Sequence, residues 1–154
     1  MDIVLWRHAE AEPGEPDLGR TLTSKGEKQA RRVAEWLHGR LPESAKIYAS
    51  PARRAQQTAN ALAEVAHRKF KTIAALAPGA SADEVLASIK IGNAKGTVVL
   101  VGHQPTLGQV VSRLLGSDER DWSIKKGGLV WLSWRESNGG AEPVVRAAIS
   151  PDLA

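Results

Sequence analysis

A length of 154 residues and a hydrophobic content of 42% predict one domain, spanning 1–154, with no apolar stretch near the roughly 18 residues that a membrane span requires. The chain has no cysteine, which excludes disulfides, thiolate catalysis and cysteine-ligated metal sites. The net charge of +4 comes from basic residues that are scattered along the sequence, and only 5% of residues are aromatic, so nucleic-acid binding is disfavoured relative to acidic or phosphate-bearing partners.

The first predicted element is an apolar strand. The run Ile3-Val4-Leu5-Trp6 begins almost at Met1, without the basic region and small-residue cleavage site of a secretory signal, so we expect a cytoplasmic protein. Arg7-His8 follows this run directly. Polar side chains that follow a parallel strand face the crevice in which α/β proteins bind ligands.

A first helix is predicted from Thr23, as its N-cap, to about His38, with Gly39 as its stop. Its buried stripe consists of Ala30, Val33, Ala34 and Leu37. Gly26 lies on the same side, although glycine inside a helix costs about 1 kcal/mol relative to alanine. We therefore expect the helix to pack closely against the sheet at Gly26.

A second helix is predicted after the short strand Ile47-Tyr48-Ala49. Ser50-Pro51 supplies a capping hydroxyl and a proline at the first helical position. The helical period turns Arg54 inward and Arg53 outward. A buried arginine needs an anion, and a helix amino terminus adds N–H groups for one, so a phosphate would satisfy both.

A second histidine follows a second apolar run. Thr97–Val101 is continuously apolar and β-branched, as expected of a central strand, and Gly102-His103 comes next. A third helix begins at Pro105 and buries Leu107, Val110, Val111, Leu114 and Leu115 before Gly116. Two histidines at two strand ends predict an active site that is built around imidazole.

The carboxyl end predicts antiparallel strands. Leu129–Trp134 and Val144–Ile149 flank Glu136–Gly140, whose Asn-Gly step favours a hairpin turn. Strands that alternate with helices in the rest of the chain favour a layered α/β fold.

Four motifs in this order resemble the histidine phosphatase superfamily, specifically its short bacterial phosphohistidine phosphatases. They are Leu5-Trp6-Arg7-His8-Ala9-Glu10, Leu22–Ala30, Ser50–Ala59 and Val101-Gly102-His103-Gln104-Pro105. The resemblance implies a phosphoglycerate mutase-like three-layer sandwich, with a mostly parallel sheet, an antiparallel edge strand and helices on both faces. It also implies that Arg7, His8, Arg54 and His103 surround one phosphoryl group, with Arg20 as a further anion contact.

The implied activity is a metal-independent phosphohistidine phosphatase, without a cofactor, that acts on a signalling or phosphotransfer protein. His8 would attack phosphorus through a neutral ring nitrogen and form a covalent phosphohistidine intermediate. Arg7 and Arg54 would hold the nonbridging oxygens, and His103, protonated or as an N–H donor, would stabilise their charge.

Some features leave alternatives open. Ala9 stands where the superfamily usually has glycine, and the short chain leaves little room for the helical insertion that supplies a proton donor in larger relatives. The acid could be Glu10, Glu12, Asp17 or Asp83. Lys125-Lys126 is interpreted as a solvated turn, although Lys126 could contact substrate. The other candidate functions are a small-molecule phosphomonoesterase, which the short chain without an obvious lid disfavours, and a noncatalytic phosphate-binding module, which the two histidines disfavour.

Overall fold

The computed structural model describes residues 1–89, 96–117, 120–137 and 139–154. Its strands are β1 (Asp2–Arg7), β2 (Lys46–Ala49), β3 (Lys71–Thr72), β4 (Thr97–Gly102), β5 (Leu129–Ser137) and β6 (Gly140–Ile149). Its helices are α1 (Ser24–His38), α2 (Arg53–Ala66), α3 (Ala82–Ile89) and α4 (Thr106–Leu114).

All six strands form one sheet in the order β3-β2-β4-β1-β5-β6. Strands β3, β2, β4 and β1 are parallel, whereas β5 is antiparallel to both β1 and β6. The predicted fold class, a mostly parallel α/β sheet with an antiparallel edge, is confirmed. Asn138 of the predicted Asn-Gly turn lies outside the described residues.

The alternation of side chains along the central strands produces the three layers. Ile3 and Leu5 of β1 face one way and pack into a core with residues of α3 and α4. Val4 and Trp6 face the other way and pack into a second core with α1 and α2. Because β1 is covered on both faces, its run is continuously apolar, as expected of a strand in the middle of such a sheet.

Helix α1 begins where the sequence predicts, but the segment that packs closely against Gly26 is not the predicted one. The hydroxyl of Thr23 accepts a hydrogen bond from the N–H of Gly26 at 2.9 Å. A methyl group on Gly26 would lie 1.9 Å from the backbone oxygen of Glu10. The close approach is therefore to the segment that follows β1 and not to the sheet, and it holds that segment in place beside His8.

The structure corrects three details of the other helices. The N-cap of α2 is Ala52, not Ser50, because the helix begins at Arg53, three residues after Ser50, and the Ser50 hydroxyl accepts from the Ala52 N–H before the helix begins. Pro105 is the N-cap of α4 and not part of its first turn. Helix α3 was not predicted, since eight residues give too short an apolar period. Within the described residues, no helix has the length and apolar character of a membrane span.

Candidate active site

The two histidines lie at the ends of adjacent parallel strands. Arg7, the last residue of β1, is opposite Gly102, the last residue of β4, so His8 and His103 leave the sheet side by side. The backbone N–H of His8 donates to the oxygen of Gly102 at 3.0 Å. The two imidazole rings have centroids 5.1 Å apart and planes inclined at 52°.

The hydrogen bond of His8 to Ala9 shows which ring nitrogen carries the proton and which has a free lone pair. Nδ1 lies 2.7 Å from the backbone oxygen of Ala9, and because a carbonyl can only accept, Nδ1 carries the proton. Burial lowers the pKa of His8 from 6.5 to about 4, although the hydrogen bond to Ala9 raises it. At neutral pH the ring is therefore uncharged, with its lone pair on Nε2, which is the form that a nucleophile requires.

Three cations act on the same ring. The positive charges of Arg54, Arg7 and Arg20 each lower the pKa of His8 further. Since Coulombic effects fall with distance, Arg54 and Arg20 lie near this histidine although both are distant from it in sequence, whereas Arg7 precedes it directly.

His103 is also buried and neutral. Its burial, and then the neighbouring His8 and Arg54, lower its pKa to about 3. Of the two forms that the sequence analysis left open, the neutral N–H donor is thus the one present in the free site at neutral pH. Its Nε2 lies 2.7 Å from the hydroxyl of Ser50, which fixes the orientation of the ring.

Ser50 is a site residue that the sequence analysis took for a helix cap. It is fully buried and follows β2, which is the neighbour of β4 on the side away from β1. The rule that singled out His8 and His103, namely a polar residue directly after a parallel strand, would also have found Ser50.

Arg7 and Arg54 share an unusual feature. Arg7 donates from one terminal nitrogen to the backbone oxygen of Ile124 at 2.9 Å. Arg54 is only 5% exposed and donates to the backbone oxygen of Asp17 at 2.8 Å. The Nε atoms of both arginines are buried without a hydrogen-bond partner in the described part of the chain, and buried donors normally have one. Arg53 is exposed, as its helical position predicts.

Asp17 joins two of the predicted anion-binding arginines. Its carboxylate oxygens lie 3.2 Å from Arg20 and 3.2 Å from Arg54. The hydrogen bond from Arg20 and the charge of Arg54 lower the pKa of Asp17, although desolvation opposes them. The carboxylate is therefore ionised near neutral pH, which makes Asp17 a poor proton donor.

The other candidate acids have different surroundings. Asp83 forms an ion pair with Arg113 of α4. The Glu10 carboxylate accepts from the Thr23 hydroxyl at 2.8 Å. Across the described ranges, no group of three or more His, Asp or Glu side chains is arranged to hold a metal ion.

The position after His8 tolerates a side chain. Ala9 is fully buried and packs with Leu22 and Ala30. Its N–H donates to the Thr58 hydroxyl at 3.1 Å, and that hydroxyl donates to the backbone oxygen of Arg54 at 2.8 Å. Thr58 thus connects the segment that carries His8 to the helix turn that carries Arg54.

Similarity to known proteins decides the family. Residues 3–77 match the model of the histidine phosphatase superfamily (branch 1). The phosphohistidine phosphatase SixA homolog of Haemophilus influenzae is 30% identical over 128 residues, which cover 75% of this chain and 78% of that protein. The chain belongs to the histidine phosphatase superfamily. As a member of its short bacterial branch, it is a phosphatase.

Two further comparisons agree with this assignment. The phosphohistidine phosphatase SixA of Escherichia coli is 27% identical to this histidine phosphatase over 119 residues, or 74% of each chain. The solved structure of the protein histidine phosphatase SixA complexed with tungstate is 23% identical, with a TM-score of 0.79 over 99% of this chain and 98% of that one. The latter similarity shows that the two proteins share a fold.

The lowered pKa of His8 predicts an unusual pH profile for this phosphatase. Protonation of Nε2 abolishes a nucleophile, so the acid limb of kcat/KM, which reports the free enzyme, should have its midpoint near 4 and not near the ordinary histidine value of about 6.5. The measurement is kcat/KM for an aryl phosphate from pH 3.5 to 8, corrected for the ionisation of the substrate. A midpoint at pH 6 or above would contradict the neutral, desolvated His8.

Folding must be followed in the same experiment. Histidines of the unfolded chain bind protons below about pH 6.5, whereas His8 and His103 in the folded protein do so only near 4 and 3. The unfolded state therefore binds more protons as the pH falls below 6.5, and stability falls by about 1.4 kcal/mol per pH unit for each histidine. Circular dichroism at each pH separates this loss from protonation of the nucleophile.

Proposed function

We propose that this phosphatase is a metal-independent phosphohistidine phosphatase, which dephosphorylates a phosphohistidine on a signalling or phosphotransfer protein through a covalent intermediate at His8. The observation that carries the proposal is the unprotonated Nε2 of His8 within reach of the charges of Arg7 and Arg54, whose buried Nε donors lack acceptors. The relatives from Haemophilus influenzae and Escherichia coli, which are named as a phosphohistidine phosphatase homolog and a phosphohistidine phosphatase, support the substrate class.

In the first step, Nε2 of His8 attacks phosphorus and the bond from phosphorus to the imidazole nitrogen of the substrate breaks. The leaving imidazole takes up a proton from solvent. Arg7 and Arg54 hold the nonbridging oxygens, and Arg20 adds a third positive charge, because phosphoryl transfer depends on positioning and charge stabilisation. The hydrogen bond from Nδ1 to Ala9 holds the attacking ring in place and stabilises the charge that develops on it.

In the second step, water attacks the phosphorus of the intermediate and gives up a proton to solvent, and the bond to Nε2 of His8 breaks. Inorganic phosphate leaves, and the ring returns to its neutral form with the proton on Nδ1. His103 donates an N–H to the transferring group in both steps. The negative charge of a bound phosphoryl group raises the pKa of His103 from its low value in the free site, which strengthens this donor when it is needed.

Among the described residues, the surroundings of two candidate acids, Asp17 and Asp83, favour phosphohistidine over a phosphomonoester, because both carboxylates are paired with arginines. An alkoxide leaving group needs a proton at once, and the carboxyl of Asp17 is held ionised by Arg20 and Arg54. An imidazole leaving group needs less assistance, since it leaves readily once a solvent proton reaches it.

The test is a panel of substrates at equal enzyme concentration. We expect kcat/KM to be at least about 100-fold higher for a phosphohistidine peptide than for sugar phosphates or nucleotides, a difference of about 2.7 kcal/mol in transition-state binding. Faster hydrolysis of a sugar phosphate or nucleotide would identify a small-molecule phosphomonoesterase. Binding of phosphohistidine without turnover would identify a binding module.

A further inference from the structure

A basic cavity adjoins the phosphoryl site. It has a volume of about 810 Å³ and lies between the first half of α1 and the loop that precedes β5. Arg7 lines it, so the cavity begins where the proposed phosphoryl site ends. Neither histidine is among its lining residues.

The fold gathers into this cavity cations that are far apart in sequence. Lys25, Lys28 and Arg32 line one side from α1, where a spacing of three and four residues places them on one face of the helix. Lys125 and Lys126 line the other side. Although the basic residues are scattered in sequence, as the sequence analysis states, these five are not scattered in space, and Lys126 is part of a cavity wall.

The cavity accounts for the net charge of the whole protein. Its wall has six cations, which are Arg7 and these five, and two acids, Glu10 and Asp152, a net charge of +4. The complete chain, with 21 cationic and 17 acidic residues, also has +4, so everything outside the cavity sums to zero. The five lysine and arginine side chains are exposed, and none of them takes part in an ion pair within the described ranges.

Cations from both sides of the cavity act on the same carboxylate, that of Asp152. The pKa of Asp152 is lowered, first by a hydrogen bond from Ser150 and also by the charges of Lys125 and Arg32. An anionic surface placed in the cavity would therefore meet cations from both sides at once, and such a concentration of one sign of charge raises the rate of encounter with the opposite sign.

We propose that this cavity docks the acidic surface of the protein that carries the phosphohistidine. The inference rests on the proposed function and extends it from the phosphoryl group to the substrate around it. With the phosphoryl group at Arg7, the adjoining substrate surface lies over Lys25 and Lys28 on one side and over Lys125 and Lys126 on the other.

The form of the cavity favours a protein surface over a small anion. Exposed lysines on flexible stems suit several carboxylates spread over a surface, whereas a compact second phosphate would call for fixed, convergent donors. Nucleic acid is disfavoured as the occupant because none of the lining residues is aromatic and could stack on a base.

The test compares two synthetic peptides that carry one phosphohistidine, flanked by four glutamates in one and by four glutamines in the other. The wild-type enzyme should hydrolyse the acidic peptide with a kcat/KM about 10- to 30-fold higher at low salt, and this preference should shrink as salt screens the charges. Either K25E/K28E or K125E/K126E should remove the preference while leaving hydrolysis of the glutamine peptide within about twofold of wild type. The new glutamates of K25E/K28E lie in the first turns of α1, where negative charge favours the helix.

The matched control is K46E/K69E, which makes the same change in net charge at exposed lysines outside the cavity. This variant should keep the preference for the acidic peptide. Equal kcat/KM for the two peptides with wild-type enzyme, or the same loss in K46E/K69E as in K25E/K28E, would overturn the proposal. Binding of a single-stranded oligonucleotide should also be measured. If K25E/K28E weakens only that binding and keeps the preference for the acidic peptide, the proposal is overturned and the cavity is assigned to nucleic acid.

A binding measurement separates this proposal from the proposed function. The unphosphorylated acidic peptide, labelled with a fluorophore, should bind wild type more tightly than the glutamine peptide, and K25E/K28E should remove the difference. If neither phosphopeptide is hydrolysed but this difference is found, the docking surface stands and the phosphohistidine activity fails. If the phosphopeptides are hydrolysed but the difference is missing, only the docking surface fails.

Discussion

The H8A variant will lose turnover by a factor of about 10⁴ or more, because it removes the atom to which the phosphoryl group is transferred. It will also lose the phosphoenzyme. Rapid quench of wild type in alkaline detergent with a labelled phosphohistidine peptide should trap a labelled protein whose phosphoryl group is released in acid, whereas H8A should give no labelled protein.

The matched control is H38A. His38 is the last residue of α1 and is exposed, so its removal should leave both turnover and labelling within about twofold of wild type. Circular dichroism and thermal unfolding show whether H8A is folded. A folded H8A that turns over at the wild-type rate would remove His8 from its role as nucleophile.

The parts of the site that could be predicted from sequence are those with a local signal. His8 and His103 each follow an apolar run directly, so the position of the strand end is visible without knowledge of the fold. The inward direction of Arg54 follows from the helical period, and the structure leaves it 5% exposed. These predictions need only the backbone geometry of one element at a time.

The features that could not be predicted depend on contacts between distant segments. The role of Ser50 depends on β2 lying beside β4, which places its hydroxyl 2.7 Å from His103. Asp17 lies in a 3₁₀ helix of three residues, Asp17–Gly19, which is too short for a periodic signal, and only the fold brings it to Arg54. The basic cavity joins α1 to residues about 100 positions later in the chain, so the same lysines are scattered in sequence and gathered in space.

The R54K variant will lower kcat/KM by about 100-fold or more for every phosphorylated substrate while keeping a positive charge at the position. The guanidinium already donates to the backbone oxygen of Asp17 at 2.8 Å and lies 3.2 Å from its carboxylate, yet it keeps the buried Nε donor without a partner. A lysine has one nitrogen and no fixed fork, so it cannot hold Asp17 and grip a phosphoryl group at the same time. Steady-state kinetics on the glutamine-flanked phosphohistidine peptide measure the loss.

The neighbouring residue supplies the control. Arg53 precedes Arg54 in the same helix turn but is exposed, so R53K makes the identical chemical change one position away and should alter kcat/KM by less than about twofold. Equal effects of R53K and R54K would mean that the loss comes from a disturbance of the first turn of α2 and not from the guanidinium of Arg54. An unchanged R54K would mean that charge alone is needed there, and that the fork geometry, on which the proposed grip of the nonbridging oxygens depends, is not used.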